Sequence, residues 1–228
     1  MAATLYNVIF HDSSLNVTVT KCASEVDRWI TATVCYYRRG VGLSNLLVGL
    51  DIEWHPCKPW ETNPVATLQL CIGKNCLIFQ ILKRDFMPCA LRLFLRDPFI
   101  TFVGVGVEED AEKLFRDHGL VVTRVLDLRP MAASVYRSEA FLKIGLKKMA
   151  MQVLGAAMEK PLAVTLSDWD AEELSFEQIE YGATDAFVSF LIGMDLLTAA
   201  RRLPMSQMQG KQFGRSLPPP LRPISPCC

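Results

Sequence analysis

No sign of charge predominates in this chain. Its 24 lysines and arginines are balanced by 24 aspartates and glutamates over 228 residues, so no global field draws it to nucleic acid or to an acidic membrane. Any contact with a polyanion must be local. Eight cysteines include no Cys-x-x-Cys pair, and Cys71-x4-Cys76 has no histidine at zinc-site spacing, which argues against a zinc module. Most are read as small core hydrophobes in a reducing compartment. Nothing in the sequence is expected to reach the length of a membrane-spanning helix. Met1 to Tyr6 lack the basic-then-apolar pattern of an export signal, and Ala2 stands where myristoylation needs glycine. These absences predict an intracellular protein, in cytosol or nucleus, without a membrane partner. No internal repeat is found. Gly104-x-Gly106 fails as a dinucleotide fingerprint because the third glycine position holds Glu109. The terminal Cys227-Cys228 matches the prenylated end of some small GTPases, but nothing else suggests that fold.

What the sequence does have is a hydrophobic half, enough for one well-cored domain with some extra segments. Its centre is Leu46 to Trp54, Leu-Leu-Val-Gly-Leu-Asp-Ile-Glu-Trp, an apolar strand ending in two acids two residues apart. Strand alternation puts Asp51 and Glu53 on one face, with Leu50 and Ile52 turned into the core. Adjacent carboxylates repel and resist desolvation, so folding alone gives no reason to keep them there. A hard divalent cation such as Mg²⁺ or Mn²⁺ would. The alternative is an ordinary surface pair at a strand end.

Tyr6 to Phe10 and Asn16 to Thr20 read as a hairpin, and Ser24 to Tyr37 as a helix capped by Ser24. After the acidic strand, Val65 to Ile72 and Cys76 to Leu82 are joined by the tight turn Gly73-Lys74-Asn75, so the three should form an antiparallel meander. A helix over Pro88 to Leu95, a fourth strand over Phe99 to Val103 and a helix over Val107 to His118 follow. That helix should bury Val107, Ala111, Leu114 and Phe115. A fifth strand is placed at Val121 to Leu126, then helices at Met131 to Tyr136 and Leu142 to Val153. The capping box Ser175-x-x-Gln178 opens a long helix to about Arg202, burying Ile179, Ala183, Ala186, Phe190, Met194 and Leu197. The pattern is α/β: a mixed five-stranded sheet flanked by helices, with an N-terminal β-hairpin. Residues 1–40 form the hairpin and helix, 41–203 the main domain. Residues 204–228, with six of the 13 prolines, are expected to be a disordered tail, whose Pro220-Leu-Arg-Pro223 fits a polyproline pattern.

Three further residues belong with the acidic pair. Small residues at 104–106 let the chain turn tightly, returning Asp110, in the first turn of the next helix, towards the strand ends. On the last helix Tyr181 and Asp185 are four apart and share a face, next to the small Ala183 and Ala186. Four acids at such positions are costly to bring together without cations.

Three ordered stretches carry a resemblance: Gly49-Leu-Asp51-Ile-Glu53-Trp54 with Pro64 to Gly73 and Cys76 to Phe79; Phe102 to Leu114 around Asp110; and Ser167-Asp-Trp169 followed by Ile179-Glu-Tyr181-Gly-Ala-Thr-Asp185-Ala186. Together, from about Leu46 to Leu197, they resemble the RNase D and Werner-type 3′→5′ exonucleases of the DnaQ-like, DEDD superfamily, on a ribonuclease H-like fold. Tyr-x3-Asp is present, whereas the histidine of the alternative His-x4-Asp pattern would be Glu180, so the resemblance is to the tyrosine (DEDDy) subtype. The small size and hairpin are similar to plant members, some of which form rings, so a homo-oligomer is among the implied states.

The resemblance implies a site of Asp51, Glu53, Asp110 and Asp185 holding two Mg²⁺ or Mn²⁺ ions. It also implies hydrolysis of single-stranded RNA or DNA from the 3′ end. Tyr181, a poor base at neutral pH, would orient the attacking water. Trp54 and Leu68 are read either as wedges or stacking surfaces for terminal bases or as core packing. Lys147 and Lys148 are read either as phosphate contacts or as a solvated face. Trp169 would fix the approach to the last helix. Two other functions stay open: a non-catalytic subunit binding nucleic acid or protein on the same fold, and an internally cutting nuclease.

Overall fold

The computed structural model describes residues 3–40, 42, 45–56 and 62–202. The proline-rich tail and Cys227-Cys228 lie outside the described residues. β1 (Thr4–Phe10) and β2 (Ser13–Thr20) form the predicted hairpin. β3 (Leu46–Glu53), β4 (Thr67–Ile72) and β5 (Asn75–Phe79) form the predicted meander, both pairings antiparallel. β6 (Ile100–Gly104) adds parallel to β3, and β7 (Val125–Asp127) parallel to β6. The hairpin is not an appendage. β2 runs parallel to β5, giving one seven-stranded mixed sheet in the order β1-β2-β5-β4-β3-β6-β7.

Strand alternation divides the interior into two layers. Val48, Leu50 and Ile52 of β3 and Leu68 and Leu70 of β4 face one way, onto α1 (Ala23–Cys35), α2 (Cys89–Arg96) and α3 (Val107–His118). Each fully buried leucine there contributes roughly 1.5–3 kcal/mol. Leu47 and Val103, on the other face, pack with α4 (Leu128–Tyr136), α5 (Leu146–Leu154) and α7 (Phe176–Arg202), the last preceded by the short α6 (Leu162–Thr165).

Several local expectations need correction. α1 begins before Ser24, which caps nothing; the Ala23 amide instead donates to Asp85 Oδ1 at 2.9 Å. The fifth strand is only three residues long, and the helix expected over Leu142 to Val153 is split at Gly145 into a 3-10 turn (Glu139–Lys143) and α5. Phe115 and Met194, expected to be buried, are 60% and 41% exposed. Cys71 and Cys76 are buried as expected but are disulfide-bonded, being opposite each other across β4 and β5, whereas Cys35 and Cys89 are exposed. α7 is also long and apolar enough, by length and composition, to cross a membrane. It has this character as the central core helix, with Ala183, Ala186, Val188 and Ile192 fully buried against the sheet and its neighbouring helices.

The approach of α7 to β3 is unusually close, and one glycine permits it. A Cβ on Gly49 would lie 1.9 Å from the Ala186 carbonyl oxygen, a backbone atom that cannot rotate aside. Gly49→Ala should therefore cost about 3 kcal/mol through overpacking, read as a lower urea midpoint. A change below about 0.5 kcal/mol, the ordinary range of surface substitutions, would show that the helix has room to move.

Candidate metal centre

Asp51 and Glu53 stand on the α7 face of β3, opposite Gln69 and Thr67 of β4. Both partners are buried, and the Gln69 Nε2 donates to Thr67 Oγ1 at 2.7 Å, so the floor beneath the acids is polar. Asp185 comes from α7 and is 2% exposed; Tyr181, one turn earlier, is also buried. Helix periodicity puts these two on the face turned to the sheet, and the Gly49 contact brings that face down onto β3. Carboxylate oxygens of Asp51, Glu53 and Asp185 consequently lie within 4.8 Å of one another.

Asp110 arrives by a different route. Gly106 adopts a left-handed conformation (φ 83°) before α3, and its amide donates to Asp127 Oδ2 at 2.9 Å. Asp127 also caps α4 and pairs with Arg129 at 2.6 Å, anchoring the turn. The expectation that small residues at 104–106 turn the chain back is met. Asp110 stands outside the 4.8 Å group, yet its charge acts on both Asp51 and Glu53.

Burial raises all four acids, and repulsion within the group adds to it for Asp51 and Glu53. Desolvation, then the charges of Asp185, Glu53 and Asp110, push Asp51 well above the carboxylate range. Burial is the first cause for the other three, raising Glu53 to about 8, Asp110 to about 7 and Asp185 to about 6, with Lys160 restraining Asp185. Asp51 Oδ2 is buried without a hydrogen-bond partner. An orphaned carboxylate oxygen beside two more carboxylates is the oxygen-rich, electron-rich setting that a hard cation fits. Asp51, Glu53 and Asp185 could hold such an ion directly.

Tyr181 is fixed on several sides. Thr165 Oγ1 donates to its phenol oxygen at 3.1 Å, Trp169 packs 5.8 Å from its ring, and the Lys160 ammonium lies 4.9 Å from the ring centroid. Burial, aided by Asp185, pushes the phenol above its usual range, so it stays protonated at neutral pH. Gln178 completes the predicted capping box with Ser175 and donates to Ser167 Oγ and the Asp168 carbonyl, tying the Ser-Asp-Trp segment to the start of α7. Trp169 is 1% exposed and has the packing role expected of it.

The four residues proposed to touch nucleic acid differ in placement. Leu68 pairs with Ile52 and points to the opposite side of the sheet from the acids, fully buried. Its core-packing reading is therefore the one the structure shows. Trp54 is 37% exposed directly after Glu53, with the Lys113 ammonium 5.0 Å from its ring. Lys147 and Lys148 are exposed on α5, and Lys147 pairs with Glu159 at 3.5 Å. Lys160, Thr165 and Lys113 were missed by sequence reasoning, because only tertiary contacts reveal them. Asp127 carried a readable signal, an aspartate directly before a helix. His55, Asp168 and Asp170 form a second cluster, but it is largely exposed, and the His55 Nδ1 is 3.0 Å from Asp168 Oδ1.

A profile described as 3′-5′ exonuclease matches residues 41–198, more than half of the chain. The chain belongs to the 3′-5′ exonuclease family. This exonuclease domain is 32% identical over 145 residues to a 3′-5′ exonuclease of Arabidopsis thaliana, covering 63% of this chain and 50% of that protein. It is 35% identical over 156 residues to human exonuclease 3′-5′ domain-containing protein 2, covering 66% of this chain and 25% of that protein. The chain thus spans half or less of these relatives. The fold of the exonuclease domain is shared with Escherichia coli RNase D, TM-score 0.68 at 21% identity, over 82% of this chain and 46% of that one. It is shared also with the Aedes aegypti Nibbler EXO domain, TM-score 0.66 at 16% identity, over 86% and 93%.

The raised carboxylates make stability depend on pH with a definite sign. A carboxylate whose folded pKa exceeds its unfolded value near roughly 4 binds its proton more tightly when folded, so stability is lost as pH rises towards the folded pKa. Burial lowers the pKa of His118, which acts in the opposite sense below about pH 6.5. Between pH 6.5 and 8 the metal-free domain should therefore melt progressively lower as Glu53 and Asp110 lose their protons. Saturating Mn²⁺ should abolish that slope, because it favours the ionised acids. A metal-free midpoint that is flat or rising across this window would contradict the geometry.

Proposed function

We propose that this domain is a metal-dependent 3′→5′ exonuclease of the DEDDy subtype, hydrolysing single-stranded RNA or DNA from the 3′ end and releasing nucleoside 5′-monophosphates. The observation that carries this reading is the convergence of Asp51, Glu53 and Asp185 within 4.8 Å, with Tyr181 one helical turn away and Asp110 close enough for its charge to act on Asp51 and Glu53. Divalent cations held there would supply Lewis-acid stabilisation of the charge that builds up on a phosphodiester under attack.

The protein's own groups do the rest. Tyr181, held by Thr165 and keeping its proton, offers an O–H to orient the attacking water rather than a base to deprotonate it. The half-exposed Trp54 offers a stacking surface to a terminal base, a mode tolerant of sequence. Lys147 and Lys148 are placed in solvent, where they can meet backbone phosphates. With a net charge of zero, such local contacts must supply the affinity. An intracellular location, in cytosol or nucleus, is part of the same proposal, as is a homo-oligomer. The alternative, a non-catalytic binding subunit, draws on that neutral charge and on Lys160 already pairing with Asp185.

With 5′-labelled single strands and Mg²⁺ or Mn²⁺, the protein should produce a ladder of shortened products and leave circular strands uncut. Asp51→Asn should lower kcat/KM by about a thousandfold or more, as expected when groups acting as a unit are broken. A ladder unchanged in Asp51→Asn would overturn the proposal, and no ladder on either RNA or DNA would favour the binding subunit. Trp54→Ala should weaken binding by roughly 1–3 kcal/mol, the range of one base–aromatic stack. That loss should appear in KM rather than kcat; an unchanged KM would remove Trp54 from the substrate path.

A further inference from the structure

The acid cluster already contains a positive charge of the protein's own. Lys160 lies in the connection between α5 and α6, directly before Pro161, and its ammonium makes an ion pair with Asp185. It also lies over the face of Tyr181, at 4.9 Å from the ring centroid, and its charge reaches Asp51 and Glu53. Every carboxylate of the 4.8 Å group therefore feels this one side chain.

An ammonium and a divalent cation compete for the same oxygens. Asp185 is 2% exposed, so water cannot take over its neutralisation if Lys160 leaves and nothing replaces it. The Lys160 side chain, by contrast, is 27% exposed. It has a flexible four-carbon stem and a strongly hydrated head group, so it has somewhere to go. The buried acid is thus fixed and the partner movable.

We propose that Lys160 is an internal counter-ion of this site, neutralising Asp185 in the metal-free protein and displaced when a divalent cation enters. This rests on the cluster being a cation centre. Lys160 then sets two properties in opposite directions. It stabilises the metal-free fold by offsetting carboxylate repulsion, and it weakens cation binding because its contact with Asp185 must be broken first. Displacement would also free the Tyr181 ring face and shift residue 160, next to the Lys147–Glu159 pair. Cation binding and the arrangement of the 155–161 connection would be coupled as a consequence.

The test is calorimetric titration of Mn²⁺ into the full chain at pH 7.5, with metal-free melting as a second readout and no substrate present. Lys160→Met should bind Mn²⁺ about tenfold more tightly or better, as expected for removing one nearby positive charge, while melting lower when metal-free. Lys160→Arg, which retains the charge, should stay within about threefold of wild type, a small shift on the affinity scale. Lys160→Gln serves as a second neutral variant should the methionine protein not fold. If wild type binds Mn²⁺, Asp51→Asn abolishes that binding, and whichever neutral variant folds binds no more tightly than wild type, the counter-ion proposal fails while the cation centre stands. If wild type itself binds no Mn²⁺, both fail.

Discussion

Everything distinctive about this structure follows from forcing like charges together in a space with little water. Asp51, Glu53 and Asp185 come from two elements that meet only because α7 presses onto β3 at Gly49. Carboxylates in that position repel, desolvate poorly and hold protons far above their ordinary range. A fold stabilised by a net margin of only about 5–15 kcal/mol can tolerate such a cluster when something neutralises it. Protons, Lys160 and divalent cations are the three available neutralisers, and they differ in what they permit. Protons remove the charge of the acids, whereas the lysine and a divalent cation would each offset it while leaving the carboxylates ionised.

The scaffold around the cluster works to keep that repulsion from spreading the elements apart. β3 sits near the middle of seven strands, paired on both sides. α7 is the longest helix among the described residues and is covered on most of its faces. Its start is held by the Ser175–Gln178 capping box and by the Gln178 bonds to the Ser-Asp-Trp segment, which also seats Trp169 against Tyr181. The same apolar length that suits α7 to this role gives it the composition of a membrane span. Burial decides between such readings, and here the helix is lined with sheet.

Much of this was legible in the sequence because the relevant signals are local. The run Leu46 to Trp54 alternates, so its two acids had to share a face, and Tyr181 and Asp185 share theirs by helical spacing. The capping box, the tight turn at Gly73 and the small residues at 104–106 likewise act within a few residues. Contacts set by topology were not legible. Whether Leu68 faces the acids depends on the register of β4 against β3, and pairing with Ile52 turns it away. Lys160 approaches from an irregular connection with no periodicity to read. Phe115 and Met194 lie at the margins of their helices' apolar faces, where pattern alone cannot tell edge from core.

The central claim is that three carboxylates from β3 and α7 form a cation site, and anomalous diffraction at the manganese edge from crystals soaked in Mn²⁺ tests it most directly. The account predicts a peak bounded by Asp51, Glu53 and Asp185, with the Lys160 ammonium moved off Asp185. A peak confined to the exposed His55–Asp168–Asp170 cluster, or none at either place, would contradict it.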